Sequence, residues 1–366
     1  MSQMPTLMDV AQLAGVSYAT ADRVVNARAG VAAKSRKKVE AAIAQLGYVR
    51  NVAAANLSQG RVHRFGFVLP AGDNAFFDQM RRIIAQKQPD QAPPRPQVEI
   101  LDVDAFDLDA LCARLQALRS AGFDGLAVVG IDHPRVTAAL RELQASGCAI
   151  VTLVSHVQTD GAAPYVGVDN YAAGRTAARL IGMAHAVVPG LVQIILGSRS
   201  LRDHAERLDG ACNVLTTDYP AVTQLPPLEG LDQGELVQRL LSERLRQYPN
   251  ITAIYAVGAG SDGVVDALRG HHPTGLRPFC VLHELTPSAR DAVETGLVDA
   301  VIDQQPEHEV ERAFALMRCA ADRLPLPENR PITPAIYLKD NLPPLISHDE
   351  RPAHDRLLRH PLPSSV

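Results

Sequence analysis

The chain has 366 residues, 46% of them hydrophobic and 21% charged, with a formal net charge of −4. That composition excludes a fibrous or fully disordered polymer, and no apolar run approaches the roughly 20 residues of a membrane span, so the length fits a small module joined to a larger one- or two-lobed domain. The charge is uneven: residues 1–61 hold eight lysines and arginines against three carboxylates, a net +5, while the rest of the chain is left at −9. A basic head on an acidic body suits a head that meets phosphate and a body that does not.

The first predicted element begins in TLMDVAQLAGVSYATADRVVN, Thr6 to Asn26. Leu7, Val10, Ala11 and Ala14 recur at helical spacing, Gly15-Val16 breaks the run, and the Ser17 hydroxyl can cap a second helix. This is a helix-turn-helix, a geometry that lays its second helix in a major groove with the base contacts on its first turns. Those turns present Tyr18, Ala19, Thr20, Asp22 and Arg23. A third helix is expected over Ser35–Leu46, with Val39, Ala42, Ile43 and Leu46 on one face and Gly47 as its C-terminal cap. Residues 51–60, NVAAANLSQG, are alanine-rich but too short for a stable isolated helix, so a helix there is expected to fold only on a partner.

From Arg64 onward, short β-branched runs alternate with longer amphipathic stretches. The predicted strands are 65–70, 98–101, 125–130, 148–154, 165–168, 191–196, 253–257, 279–283 and 300–303. Between them lie predicted helices at 76–87, 109–121, 135–146, 170–186, 204–217, 233–248, 262–269, 288–295 and 307–323. Such alternation predicts parallel sheets with crossover helices, and this many strands predicts two sheets. Residues 341–366, rich in Pro and His without periodicity, read as a loose tail.

Cys112, Cys148, Cys212, Cys280 and Cys319 are odd in number, widely spaced and form no C-x-x-C pair. Neither a disulfide framework nor a zinc site is indicated, and a reducing compartment is. With no signal-peptide pattern at the start, the expected location is the cytoplasm and no membrane partner is expected.

Taken together, the front segment, the following KSRKKVEAAIAQLGYVRN and the alanine-rich stretch resemble the LacI/GalR family of bacterial transcription regulators. The alternating body is similar to that family's effector domain, a two-lobed relative of periplasmic sugar-binding proteins. The resemblance implies an α/β architecture: a three-helix helix-turn-helix domain (1–50), a hinge helix (51–61), two doubly wound parallel-sheet lobes of the type I periplasmic-binding-protein kind (62–340) and the tail (341–366). It implies a homodimeric repressor that binds near-palindromic double-stranded operator DNA under the control of a small carbohydrate-like effector, a sugar, polyol or derivative, with no cofactor, no metal and no catalytic activity.

Position by position, the resemblance places Tyr18, Ala19 and Arg23 where the family reads bases. Arg23 can form bidentate hydrogen bonds to guanine, Ala19 can offer only apolar contact, and Tyr18 can touch base or phosphate. Thr6, Ser17, Thr20 and Asn26 read as caps and phosphate donors. Asp22 stands where serine is commoner, and either accepts from a cytosine amino group or orients Arg23, the second being favoured. Leu57 matches the leucine wedged into the minor groove at the operator centre.

In the body, DNAFF (73–77) resembles the ligand loop of ribose-binding relatives. Asn74, Phe76 and Phe77 take the places of an asparagine and two aromatics that meet the sugar, although phenylalanines at a helix start are also ordinary core. Arg207 sits where the family places a ligand-binding arginine and Gln304 where it places a hinge glutamine, with Arg202 a weaker candidate. Ser155-His156 and His283-Glu284 depart from the Asp-Arg pair and the aspartate found in relatives, which argues against plain ribose. His156, His283 and Glu284 lack metal-ligand spacing. A competing reading comes from GAGSDG, Gly258 to Gly263, which follows a strand, opens a helix and has Glu284 downstream, the layout of a dinucleotide fingerprint. It would make the chain an NAD-binding protein, and a sugar-binding protein without DNA function is a further alternative.

Overall fold

The computed structural model describes residues 5–25, 29–48, 62–72, 74–88, 90–91, 94–159, 161, 163–258, 260–271 and 277–344. Asn26, Leu57, the 51–61 segment and most of the C-terminal stretch lie outside the described residues.

The front module consists of α1 (Leu7–Ala14), α2 (Tyr18–Val25) and α3 (Ala33–Leu46). Thr6 closes α1 with a reciprocal capping box: its hydroxyl accepts from the Asp9 amide at 3.3 Å while the Asp9 carboxylate accepts from the Thr6 amide at 2.7 Å. Gly15 and Gly47 take left-handed φ of 60° and 61° at the ends of α1 and α3, a conformation glycine adopts without a Cβ penalty. Ser17 caps α2 by accepting from the Thr20 amide at 3.2 Å. Val10, Ala14, Val24, Val39 and Ala42 form the module's own small core. The third helix starts two residues before Ser35, after Ala32, which offers no side-chain cap.

The body has two lobes. The first begins with β1 (Arg64–Ala71), α4 (Ala75–Lys87), β2 (Gln97–Asp104), α5 (Leu108–Leu118) and β3 (Gly125–Val128), and continues through α6 (Pro134–Ala145), β4 (Ala149–Leu153) and β5 (Tyr165–Val166). Its strands run parallel in the order β2-β1-β3-β4-β5. The second lobe runs from α7 (Asn170–Ala184), β6 (Gly190–Leu196), α8 (Arg202–Asp218), β7 (Val222–Gln224), β8 (Leu228–Glu229) and α9 (Gly234–Gln247) to β9 (Ala253–Ala256). It then adds α10 (Ser261–Arg269), β10 (Phe279–His283), α11 (Pro287–Glu294) and β11 (Ala300–Asp303). With β12 (Ala335–Tyr337) at its edge, its sheet order is β12-β11-β10-β9-β6-β7, with β8 also on β6.

The chain crosses between lobes three times. After β5 it passes into α7; after β11 it returns as α12 (Pro306–Ala321), whose Val310, Ala313, Phe314 and Met317 pack against the first sheet; β12 (Ala335–Tyr337) then pairs antiparallel with β11. A bridge between Val168 and Ile332 ties the first and third crossings together. Strands buried on both faces explain why the sequence reads as continuous apolar runs, such as Phe65–Leu69 and Cys280–His283. One shared core joins Phe67, Met80 and Phe314 of the first lobe to Ile194, Tyr255 and Val281 of the second, and each lobe has a further core on its outer layer.

The nine predicted strands and nine predicted body helices all appear, with ends shifted by at most three residues. The pattern missed β7, β8 and β12. β7 and β8 are three and two residues long and are separated by Pro226-Pro227, which interrupts the edge beside β6 by removing two amide donors. β12 is a half-buried antiparallel edge, without the apolar signature of a central strand.

Candidate functional site

On the head, α2 buries Ala21 and Val24 and turns the other face outward. Tyr18 is 51% exposed, Ala19 and Arg23 are exposed, and Thr20 and Asp22 are partly so. The Ser17 and Thr20 hydroxyls lie 2.9 Å apart, so both are engaged in the local cap while remaining near the surface. Lys34, Lys37 and Lys38 on α3 add exposed positive charge. The exposed set and its charge match what phosphate contact plus base-edge contact requires.

In the body, a cavity of about 670 Å³ lies between the lobes, at the C-terminal ends of the parallel strands. Eight of the nine candidate effector residues line it: Asn74, Phe76, Phe77, Ser155, Arg207, His283, Glu284 and Gln304. His156 does not. The turn after β4 faces its ring toward Tyr165, centroids 5.1 Å apart, and its imidazole pKa is lowered by burial and by the neighbouring Arg202.

Asn74 ends the turn after β1 and caps α4, its Oδ1 accepting from the amides of Phe76 and Phe77 at 3.1 and 3.3 Å. The oxygen is thus committed to the helix, and only its amide nitrogen remains for a ligand. Phe76 and Phe77, 5% and 8% exposed, meet edge to face with centroids 5.1 Å apart. They belong to the shared core and also line the cavity, so the two readings of this pair hold together.

Arg207 of α8 is the largest fully buried side chain, 2% exposed. Its Nε donates to Asn170 Oδ1 at 2.8 Å and its Nη1 to the Val257 carbonyl at 2.9 Å, with Glu284 Oε1 3.9 Å from Nη1. Its Nη2 has no hydrogen-bond partner among the described residues. A buried unmet donor on a fixed guanidinium, facing a cavity, is a preformed contact for an acceptor oxygen.

Glu284 follows β10 with φ 66° and accepts from Gln304 Nε2 at 2.6 Å. Burial, reinforced by the nearby Asp303 carboxylate, pushes its pKa up to about 8. The neighbouring His283 is held neutral, with a pKa lowered well below the usual value by burial and by Arg207, and shares a 2.8 Å hydrogen bond with the Tyr255 hydroxyl. Gln304 has its Oε1 unpaired among the described residues. Phe106, Val154, Leu231, Asp232 and Glu284, all lining the cavity, hold left-handed backbone, and such strain in non-glycine residues gathers where geometry serves a site.

The sequence pattern did not reveal three further lining residues. Asp203 opens α8, and its Oδ1 accepts from Ser155 Oγ at 3.2 Å, a hydrogen bond that runs across the cleft. His204 accepts from the Ser198 amide through Nδ1 at 3.3 Å, which leaves the ring proton of the neutral form on Nε2. Asp232 stands beside it: a Cβ on Gly197 would overlap both side chains. Only the spacing of Asp203 from Arg207, one helical turn on α8, could have marked it. Arg202, the weaker candidate, instead forms an ion pair with Asp132 of the other lobe at 2.9 Å.

The glycines of Gly258–Gly263 serve packing. A Cβ on Gly263 would overlap the Gly234 carbonyl oxygen, and one on Gly258 would overlap the His204 ring, so both are needed for close approach within the lobe.

Comparison with known proteins matches this division. Residues 6–51 fit the model for bacterial regulatory proteins of the lacI family, and residues 65–323 fit the periplasmic binding protein domain. HTH-type transcriptional regulator MalR of Streptomyces coelicolor is 32% identical over 183 residues, 49% of this chain and 51% of the relative. The lactose operon repressor of Escherichia coli is 57% identical over 53 residues, 14% of this chain and 15% of that one. The chain thus spans about half the length, or less, of these curated relatives. A solute binding protein of an ABC transporter from Burkholderia graminis, solved with D-arabinose, superimposes with a TM-score of 0.70 at 20% identity, covering 76% of this chain and 96% of that one, a likeness of fold. A lacI-family head followed by a periplasmic-binding-protein body makes this chain a member of the LacI/GalR family.

Proposed function

We propose that the chain is a sequence-specific DNA-binding transcriptional regulator, a repressor, whose operator affinity is set by a small carbohydrate-like effector in the interlobe cavity. The observation that carries this reading is the pairing, in one polypeptide, of an outward-facing basic helix-turn-helix with a cavity built around a buried arginine that keeps an unmet donor. Relatives named as regulators and a fold neighbour solved with D-arabinose support it.

In this reading residues 1–50 are the DNA-binding domain, 51–61 the hinge helix, 62–340 the effector and dimerisation domain and 341–366 a tail, with the protein working in the cytoplasm. Arg23 reads a guanine, Tyr18 and Ala19 complete the base contacts, and Thr6, Ser17, Thr20 and Asn26 hold phosphates. Leu57 wedges the central step, and Asp22 orients Arg23. Two copies bind a near-palindromic site because a two-fold dimer imposes its symmetry on the duplex. The effector alters affinity only to the extent that it favours one lobe arrangement over another.

The test is selection of bound duplexes from a random pool with the full chain, followed by competition binding. A recovered inverted-repeat sequence, bound at least about 10³-fold more tightly than random DNA as specific sites are, supports the reading. Equal binding to selected and random duplexes overturns it.

A further inference from the structure

Within the proposed effector reading, on which this inference rests, the cavity lining is strongly one-signed. Among the described residues that line it are eight carboxylates, one arginine, two histidines and no lysine. Asp203 and Asp232 lie inside beside His204, while Asp104, Asp107, Asp262 and Asp266 stand exposed toward the mouth.

The bland explanation is that some of these carboxylates only balance helix ends. Asp107 caps α5, and Asp203, Glu235 and Asp262 occupy the first turns of α8, α9 and α10. Six helices, α4, α5 and α8 to α11, bring their starts to the cavity. A helix start carries about half a positive charge, so six offset only about three carboxylates. Arg207 offsets one more, Asp266 is paired with Arg269 at 3.4 Å, and Glu284 adds none while protonated. About two negative charges remain in a cleft whose apolar walls focus the field, a setting that concentrates cations and repels anions. Independently, the buried Arg207 Nη2 and Gln304 Oε1, both without a partner among the described residues, call for an oxygen acceptor and a hydroxyl donor on the same ligand.

We propose that the effector is a polyhydroxylated amine, an amino sugar, whose ammonium lies against the Asp203–Asp232 wall while its hydroxyls meet Arg207 and Gln304. Sugar phosphates and sugar acids are excluded by the same field.

The test uses the full chain at pH 6.5 in thermal-shift and calorimetric titrations. D-glucosamine, D-galactosamine and D-mannosamine are compared with D-glucose, D-galactose and D-mannose and with the hexose 6-phosphates. At least one amine binds tenfold or more tightly than its parent hexose, and raising the salt from 50 to 500 mM shrinks that advantage. Asp203→Asn and Asp232→Asn each bring the amine-to-parent affinity ratio toward one; unmoved ratios in both overturn the assignment of that wall. A parent hexose or a phosphate that binds as tightly as its amine overturns the inference and leaves the carbohydrate-effector reading standing. Failure of every compound to bind overturns both.

Discussion

The carbonyl oxygen of Arg207 occupies the space that a Cβ on Gly174 would need, and the carbonyl of Tyr171 does the same to Gly210. Helices α7 and α8 therefore touch backbone to backbone, and the arginine's position in the cavity is set by the absence of two side chains. Gly174→Ala forces the helices apart at a contact no rotamer change can relieve. It costs about 3 kcal/mol or more, at the upper end of overpacking effects. Calorimetry should show a Tm lower by on the order of 2–4 °C per kcal/mol, and ligand affinity should drop with it.

Arg207→Lys keeps the charge and loses the fork. A lysine cannot hold Asn170 and the Val257 carbonyl while presenting a third donor to the cavity. Ligand-induced stabilisation should fall at least tenfold in apparent affinity, and the operator complex should no longer respond to effector. A full response in an anisotropy titration would place the effector elsewhere.

The sequence displayed the body's alternation because strands buried on both faces must be apolar throughout; the nine effector candidates came from the family resemblance, and eight of them line one cavity because loops at strand ends converge there. The wall formed by Asp203, His204 and Asp232 was hidden. Asp203 and Asp232 lie 29 positions apart, on different connections of the second lobe, and only the fold around Gly197 and Gly258 brings Asp232 beside His204. Asn74 shows the opposite: the resemblance named it as a candidate ligand contact, while its use as a helix cap depends on backbone direction that spacing does not reveal.

Glu284 gives the stability a defined pH dependence. Its carboxyl titrates near 4.5 when unfolded and at about 8 in the fold. Between those values the unfolded chain releases a proton that the native state keeps, so stability declines as pH rises through this window and levels off above it. Glu284→Gln removes this contribution. The slope of Tm against pH should become shallower, with a residue left by Asp303 and Glu309, whose pKa values burial also raises. An identical slope in the variant would mean Glu284 is ionised in the fold.

Arg202 and Asp132 fasten the two lobes at one side of the cleft. Asp132→Ala removes the fastening and also the Asp132 contact with the Gln158 amide. We expect weaker effector binding by about three- to tenfold, expressed as faster dissociation in stopped-flow traces. The pair is partly exposed, so the effect should shrink further in high salt.

On the head, Arg23→Ala should relax preference at one operator position at a cost of about 1–3 kcal/mol, whereas Lys37→Ala should weaken all duplexes alike and lower the salt slope by about one. Anisotropy titrations against single-base operator variants separate the two. Uniform weakening by both substitutions would move Arg23 to the phosphate backbone.

The three crossings carry a consequence for biosynthesis. The lobe whose strands leave the ribosome first lacks its α12 layer until Ala321 has been made, by which time β6 to β11 of the other lobe are already present as one contiguous stretch. Neither lobe is complete before the last crossing, because the later-encoded one still awaits its edge strand β12, and a nascent chain stalled before Pro306 would expose the face of Phe67 that Phe314 covers in the finished protein.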